Sequence, residues 1–322
     1  MNIVITMQSH AENYLSERRR LGYRLRSPAY ALRSFARYID NLGLEGPLTV
    51  EIMAAWARRA KTHGDNSATR ARRLKLLRPF ARWLQQFDPR TEVPDNTPFG
   101  RVGQRLTPHI YSEQEIVDLL AAARRLGPVL RGATYETLFG LLASTGLRVS
   151  EAVHLMDADV ELKTGLLTVR QTKFAKSRQV PLHPSAVEAL RRYGGLRNLH
   201  VTVTDETPFF VGTRGRHRGC ALGLRQVNRV FQSLRSQLGW VNRGAHADPR
   251  IHDLRHAFIV RRVMLWHAQG VDIDQAMLAL STYVGHAKVT DTYWYLTGVP
   301  ELMALAASRF ESPIAVSEVR HA

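Results

Sequence analysis

A chain of 322 residues is long enough for two domains with sizeable cores, and 44% hydrophobic residues with 8% aromatics exclude a disordered polypeptide. Lysine and arginine number 45 against 28 acidic residues, a formal net charge of +17 with a pI near 10.7, which favours a polyanionic partner, nucleic acid above all. A single cysteine, Cys220, excludes an intrachain disulfide and zinc sites built on paired cysteines, and points to a reducing compartment.

The opening MNIVITMQSH carries no charged region followed by a long apolar stretch. No run approaches the roughly 20 apolar residues of a membrane helix, so a cytoplasmic protein with no membrane partner is expected. Apolar spacings of three and four predict helices near 8–21, 28–42, 50–61 and 67–87. In the last of these, Leu74, Leu77, Ala81 and Leu84 share one face, while Arg72, Lys75, Arg78 and Arg82 line another. No acid falls between Asn66 and Phe87, so this stripe reads as a phosphate-contacting face rather than a mixed, solvated one. Pro79 is expected to kink the helix or restart it.

From Asp88 to Ile110 the chain is rich in proline and glycine without periodicity, the signature of a linker. The expected domains are therefore a helical one over 1–88, a linker over 89–110, a larger domain over 111–298 and a tail over 299–322. Ser112 and Glu115 form a capping box for the next helix. Another helix, over about Thr134 to Ser144, stops at Gly146. Between Leu166 and Leu182 two short β-prone runs flank FAKS, which predicts a hairpin with Lys173 near its tip. A further strand is expected at Pro208–Val211. Helices then follow near 184–193, 223–238, 250–269, 272–280, 288–296 and 300–310. The fold class is α+β: mainly helical with one small sheet.

Six residues from Arg148 to Tyr295 carry the chemistry. Arg148 in TGLRVSE lies just past a helix stop, where backbone geometry can aim its planar fork at a phosphate. Glu151, three residues on, is placed to steady it. Lys173 lies in QTKFAKSRQVPL, and His252 and Arg255 stand at i and i+3 in HDLRHAF. His256, at i+4 from His252, raises a two-histidine metal reading. That reading lacks a third ligand, and the metalloprotease pattern wants a glutamate where Asp253 stands, so no metal is assigned. His286 in VGHAKV precedes Tyr295 in DTYWYL by nine residues, with Tyr293 a close rival for the same role. Two guanidiniums, an ammonium and two imidazoles suit a phosphate that gains negative charge, and a phenol among them suits a nucleophile. Its ordinary pKa near 10 must be lowered by cations or served by a base.

In this order the set resembles the tyrosine recombinase (phage integrase) family, whose pattern is Arg, Lys, His-x-x-Arg, His or Trp, then Tyr. Arg148 and Glu151 match its first arginine and acidic companion, and Lys173 its hairpin lysine before Val-Pro-Leu. His252 with Arg255 match the second motif. His286 after Gly285 matches its Gly-His, and the nine-residue step lands on Tyr295. The resemblance implies a helical core-DNA-binding domain and a catalytic domain that close on DNA as a C-shaped clamp. It implies strand cleavage and rejoining through a 3′-phosphotyrosyl link without ATP, metal or other cofactor. It further implies double-stranded DNA with specific sites as substrate, and four protomers in the synaptic complex, with a C-terminal tail docking on a neighbour. Accessory recombinases or DNA-bending proteins are implied partners, at the bacterial nucleoid, in integration or transposition. Lys176, Arg178, Arg225 and Arg229 join the arginine-rich helix as phosphate-contact candidates. Two rivals use the same layout: a type IB topoisomerase-like nicking and religating enzyme, and a catalytically silent DNA-binding regulator.

Overall fold

The computed structural model describes residues 6–23, 25–59, 67–103, 105–170, 177–215, 218–298 and 302–303. The chain divides into two units between Arg105 and Leu106.

Among the described residues the first unit contains four helices, α1 (Met7–Arg20), α2 (Arg26–Leu42), α3 (Val50–Arg58) and α4 (Ser67–Leu84). Side-chain oxygens of Thr6 and Thr49 accept the free N–H groups at the starts of α1 and α3, meeting donors that the helices cannot satisfy themselves. The helices bury Leu15, Phe35, Trp56, Leu77 and Phe80 against one another. α4 runs on through Pro79, which stands on its exposed side. The carbonyl deprived of a partner there is that of Lys75, on a face where water can serve it. Much of the expected linker is packed onto this unit. Val93 and Phe99 join its core, Glu92 N–H donates to the Leu48 carbonyl, and Asn96 accepts from Arg78. Proline-rich chain without periodicity can still be pinned by apolar side chains and backbone bonds.

The second unit holds α5 (Glu113–Arg124), α6 (Val129–Thr145) and α7 (Val149–Val153). A three-stranded antiparallel sheet follows, of β1 (Val160–Glu161), β2 (Leu166–Val169) and β3 (Arg178–Pro181), in the order β1-β2-β3. Then come α8 (Pro184–Asn198), α9 (Leu224–Leu238), α10 (Asp253–Ala268), α11 (Ile273–Val284) and α12 (Thr290–Gly298). The Ser112–Glu115 capping box is complete, with hydrogen bonds in both directions. α6 is apolar nearly all round and lies at the centre, with α5, α8 and α10 packed on it. β2 and β3 form the expected hairpin, paired from Leu166↔Pro181 to Val169↔Arg178. Its intervening residues 171–176, with Lys173 and Lys176, lie outside the described residues. No strand forms at Pro208–Val211. Single bridges, Met156↔Pro208 and Val211↔Ala221, are all that the segment makes, since Pro208 has no N–H to extend a ladder. The expected 300–310 helix also falls largely outside the described residues. Among the described residues no helix is long and apolar enough to cross a membrane.

Candidate active site

Two glycine turns build one side of the site. α6 ends at Gly146, whose φ of +63 favours glycine. A Cβ there would also lie 2.5 Å from the Phe258 ring, so no larger residue fits. α11 ends the same way at Gly285, with φ +70. Each turn accepts a hydrogen bond from the arginine of another motif. Arg255 Nη1 donates to the Gly146 carbonyl at 2.7 Å, and Arg148 Nη2 donates to the Gly285 carbonyl at 2.9 Å. Stretches 137 and 109 residues apart in sequence are thereby stitched into one pocket.

Arg148 stands immediately before α7. Its backbone N–H and its Nη1 both donate to Glu151, at 3.0 and 2.8 Å. Both terminal nitrogens are thus held, by Glu151 and by the Gly285 carbonyl, yet the side chain remains 32% exposed. Arg255 is buried, and its Nη2 makes no hydrogen bond among the described residues. Burial, then the nearby Arg148 charge, lower its pKa to about 10, which still leaves it charged at neutral pH. A buried, charged N–H without an acceptor costs on the order of 1–3 kcal/mol or more, and a phosphate oxygen is an acceptor that fits it.

His252 immediately precedes α10, and its side chain makes no capping hydrogen bond to the helix. Burial, followed by the charges of Arg255 and Arg250, lowers its pKa to about 4, so it is a neutral imidazole at neutral pH. His286 sits in the turn between α11 and α12. Its Nδ1 lies 2.6 Å from the buried Thr292 hydroxyl, and its ring stacks on that of Tyr295, with centroids 6.4 Å apart and planes 13° from parallel.

Tyr295 is fully buried, and its hydroxyl lies 2.6 Å from His256 Nδ1. Its phenol is also close enough to influence the Arg255 charge. Tyr293, two residues earlier on α12, turns away and donates to Asp274 at 3.2 Å. Partial burial and then the Asp274 charge raise its pKa, the wrong direction for a nucleophile. Of the six expected catalytic residues the structure brings five together: Arg148, His252, Arg255, His286 and Tyr295. Lys173 is the sixth and lies outside the described residues.

Two residues have roles that the sequence did not disclose. His256 read only as half of a metal pair, whereas its Nδ1 is taken up by Tyr295, and its ring crosses that of His252 at 88°. Arg178 read as a phosphate contact. Its side chain is 11% exposed and donates to Glu151 and to the Tyr283 carbonyl. The other phosphate-contact candidates divide. Arg72, Lys75 and Arg82 are exposed along α4, and Arg225 and Arg229 are exposed one turn apart on α9. Arg78 is half-buried and donates to Asn96.

The pattern of the phage integrase family matches residues 110–299. A Sinorhizobium fredii protein named as an integrase/recombinase, y4rB, is 37% identical over 312 residues, covering 95% of this chain and 97% of its own. The tyrosine recombinase XerC of Chromobacterium violaceum is 30% identical over 269 residues, 82% of each chain. Among solved structures, the Tn1549 transposon integrase in complex with transposon right-end DNA superposes with a TM-score of 0.67 at 16% identity, covering 94% of this chain and 99% of that one. The XerH site-specific recombinase bound to its difH substrate gives 0.63 at 20% identity, covering 94% and 85%. At such identities the superpositions establish the shared fold. A helical unit with a small sheet, and a pocket of arginines, histidines and one buried tyrosine, define a tyrosine-type DNA strand transferase. The chain belongs to the phage integrase family and is a site-specific DNA recombinase.

Proposed function

We propose that Tyr295 attacks a scissile phosphodiester in line, forming a 3′-phosphotyrosyl link and releasing a 5′-hydroxyl. Attack forms the Oη–P bond and breaks the bond from phosphorus to the 5′ oxygen, which leaves with a proton. Arg148 and Arg255 grip the non-bridging oxygens, and His286 donates a further hydrogen bond. Donors fixed in place before charge develops are worth about 3–4 kcal/mol each in the transition state. Lys173 is assigned the proton for the leaving oxygen. The phenol's proton goes to the histidine pair: His256 holds the hydroxyl here, and neutral His252 stands next to it with ring centroids 5.0 Å apart. The tyrosyl phosphate conserves the energy of the broken bond, so a second strand's 5′-hydroxyl can reverse the attack without ATP. The observation that carries this reading is the mutual locking of Arg148 and Arg255 through Gly285 and Gly146, beside a single buried phenol.

Double-stranded DNA with specific sites is the substrate on this reading, which is supported by like-fold structures solved with transposon right-end DNA and with a difH substrate. Exposed Arg72, Lys75 and Arg82 on one unit, and Arg225 and Arg229 on the other, supply cations for the phosphate backbone. Recombination then proceeds in a tetramer on two duplexes, in company with any accessory recombinase or bending protein that a given site recruits. Polarity provides the test. After cleavage of a nicked duplex in EDTA, the strand upstream of the break should migrate with the protein under denaturing conditions. The released strand should accept phosphate from a polynucleotide kinase without prior phosphatase treatment. Protein on the downstream strand, or a strict need for a divalent cation, would overturn the assignment.

A further inference from the structure

We propose that Arg178 is a positioning residue of the strand-transfer site: by neutralising Glu151 it keeps the Arg148 charge available to the scissile phosphate. The inference rests on the reading of Arg148 as a grip on the non-bridging oxygens. Arg178 opens β3, at the foot of the hairpin that carries Lys173. All three of its nitrogens are engaged. Nη1 and Nη2 donate to the two Glu151 oxygens at 3.1 and 2.8 Å, and Nε donates to the Tyr283 carbonyl at 2.8 Å. Its guanidinium packs closely on Gly285, where a Cβ would lie 2.5 Å from Nη1. Arg148 bonds the carbonyl of that same glycine. The two arginines therefore bracket one turn and share one carboxylate, and the next residue along is His286.

Glu151 is only 8% exposed. Burial by itself would raise its pKa, but the hydrogen bonds and charge of Arg178, with Arg148 adding to them, hold it below the usual carboxylate range. Arg178 and Glu151 together are neutral, so the Arg148 cation is left in surplus beside Arg255. Without Arg178 the buried carboxylate has Arg148 as its remaining guanidinium partner. The more exposed arginine would then be drawn into a full pair, its charge spent on Glu151 rather than on phosphate. Lysine at position 178 could return a charge but not the planar fork that spans both oxygens.

The test compares Arg178→Met and Arg148→Ala with the wild type on two suicide duplexes, one with an ordinary scissile phosphodiester and one with a neutral methylphosphonate there. Removing the non-bridging charge removes most of the demand for Arg148. Arg178→Met should bind DNA as the wild type does and cleave the phosphodiester at least about tenfold more slowly. On methylphosphonate its deficit should shrink to within about threefold, in parallel with Arg148→Ala. Adding Glu151→Gln to Arg178→Met removes the buried charge that captures Arg148, so the double variant should cleave faster than the single one. It also gives a readout if Arg178→Met alone folds poorly. A deficit for Arg178→Met that stays constant while that of Arg148→Ala shrinks, or a double variant no better than the single, would overturn the positioning role. If the deficit of Arg148→Ala does not shrink either, the reading of Arg148 itself fails, and the two failures are thus told apart.

Discussion

Phenylalanine at position 295 is expected to abolish the covalent protein–DNA adduct on a nicked suicide duplex, while Tyr293→Phe should retain it. The change deletes one oxygen from a fully buried ring. The packing of that ring among Phe258, Val263, Met277 and Val284 is kept, so the variant should fold and bind DNA. It loses the atom proposed to attack. Tyr293 points its hydroxyl to Asp274 on α11, and its pKa is raised. Adduct yield from denaturing gels, for both variants on one substrate, reads the outcome. Adduct that persists in Tyr295→Phe and disappears in Tyr293→Phe would reverse the assignment. The burial also says something about the resting state: a phenol held on His256 with no exposed surface must turn outward before it can reach a phosphate. On the proposal that Tyr295 is the nucleophile, leaving this buried position belongs to the reaction, and packing around α12 should bear on its rate.

Arg148→Ala should leave DNA affinity nearly unchanged and slow strand cleavage by about 10²–10³-fold, the cost of losing one preorganised donor to developing charge. The fold should tolerate the change because Glu151 keeps Arg178 and still accepts the backbone N–H of residue 148 at the start of α7. Single-turnover cleavage at saturating protein, set beside a binding isotherm at the same salt, separates the two effects. Binding that collapses in parallel with cleavage would make the residue structural. Arg255→Ala is a less clean experiment, since Arg255 also closes the Gly146 turn from a buried position.

Much of this was legible in the sequence because local rules govern it. The apolar phase of Leu74, Leu77, Ala81 and Leu84 reports a helix face whatever it packs on, and those residues are buried in α4. Gly146 as a helix stop and the Ser112–Glu115 box depend on neighbours within a turn, and both are present. What stayed hidden depends on partners far along the chain. Arg178 sits in a basic turn, where any arginine reads as a phosphate contact. Its carboxylate lies 27 residues earlier and its carbonyl partner 105 residues later. His256 meets a phenol 39 residues away, and no local pattern separates that from a paired-histidine metal motif. α7 has five residues, too few for a period to register. In the 89–110 segment proline and glycine marked a linker but could not show that Val93 and Phe99 join a core, since their partners lie far along the chain.

The central claim is that one particular phenol becomes bonded to DNA. Protease digestion of the wild-type adduct, trimming of the DNA by nuclease and mass spectrometry of the peptides test it directly. The expected result is a nucleotide mass on the peptide spanning 290–298, with fragment ions placing it on Tyr295. Modification at Tyr293 or on any residue outside that helix, or an adduct lost on denaturation before digestion, would contradict the account.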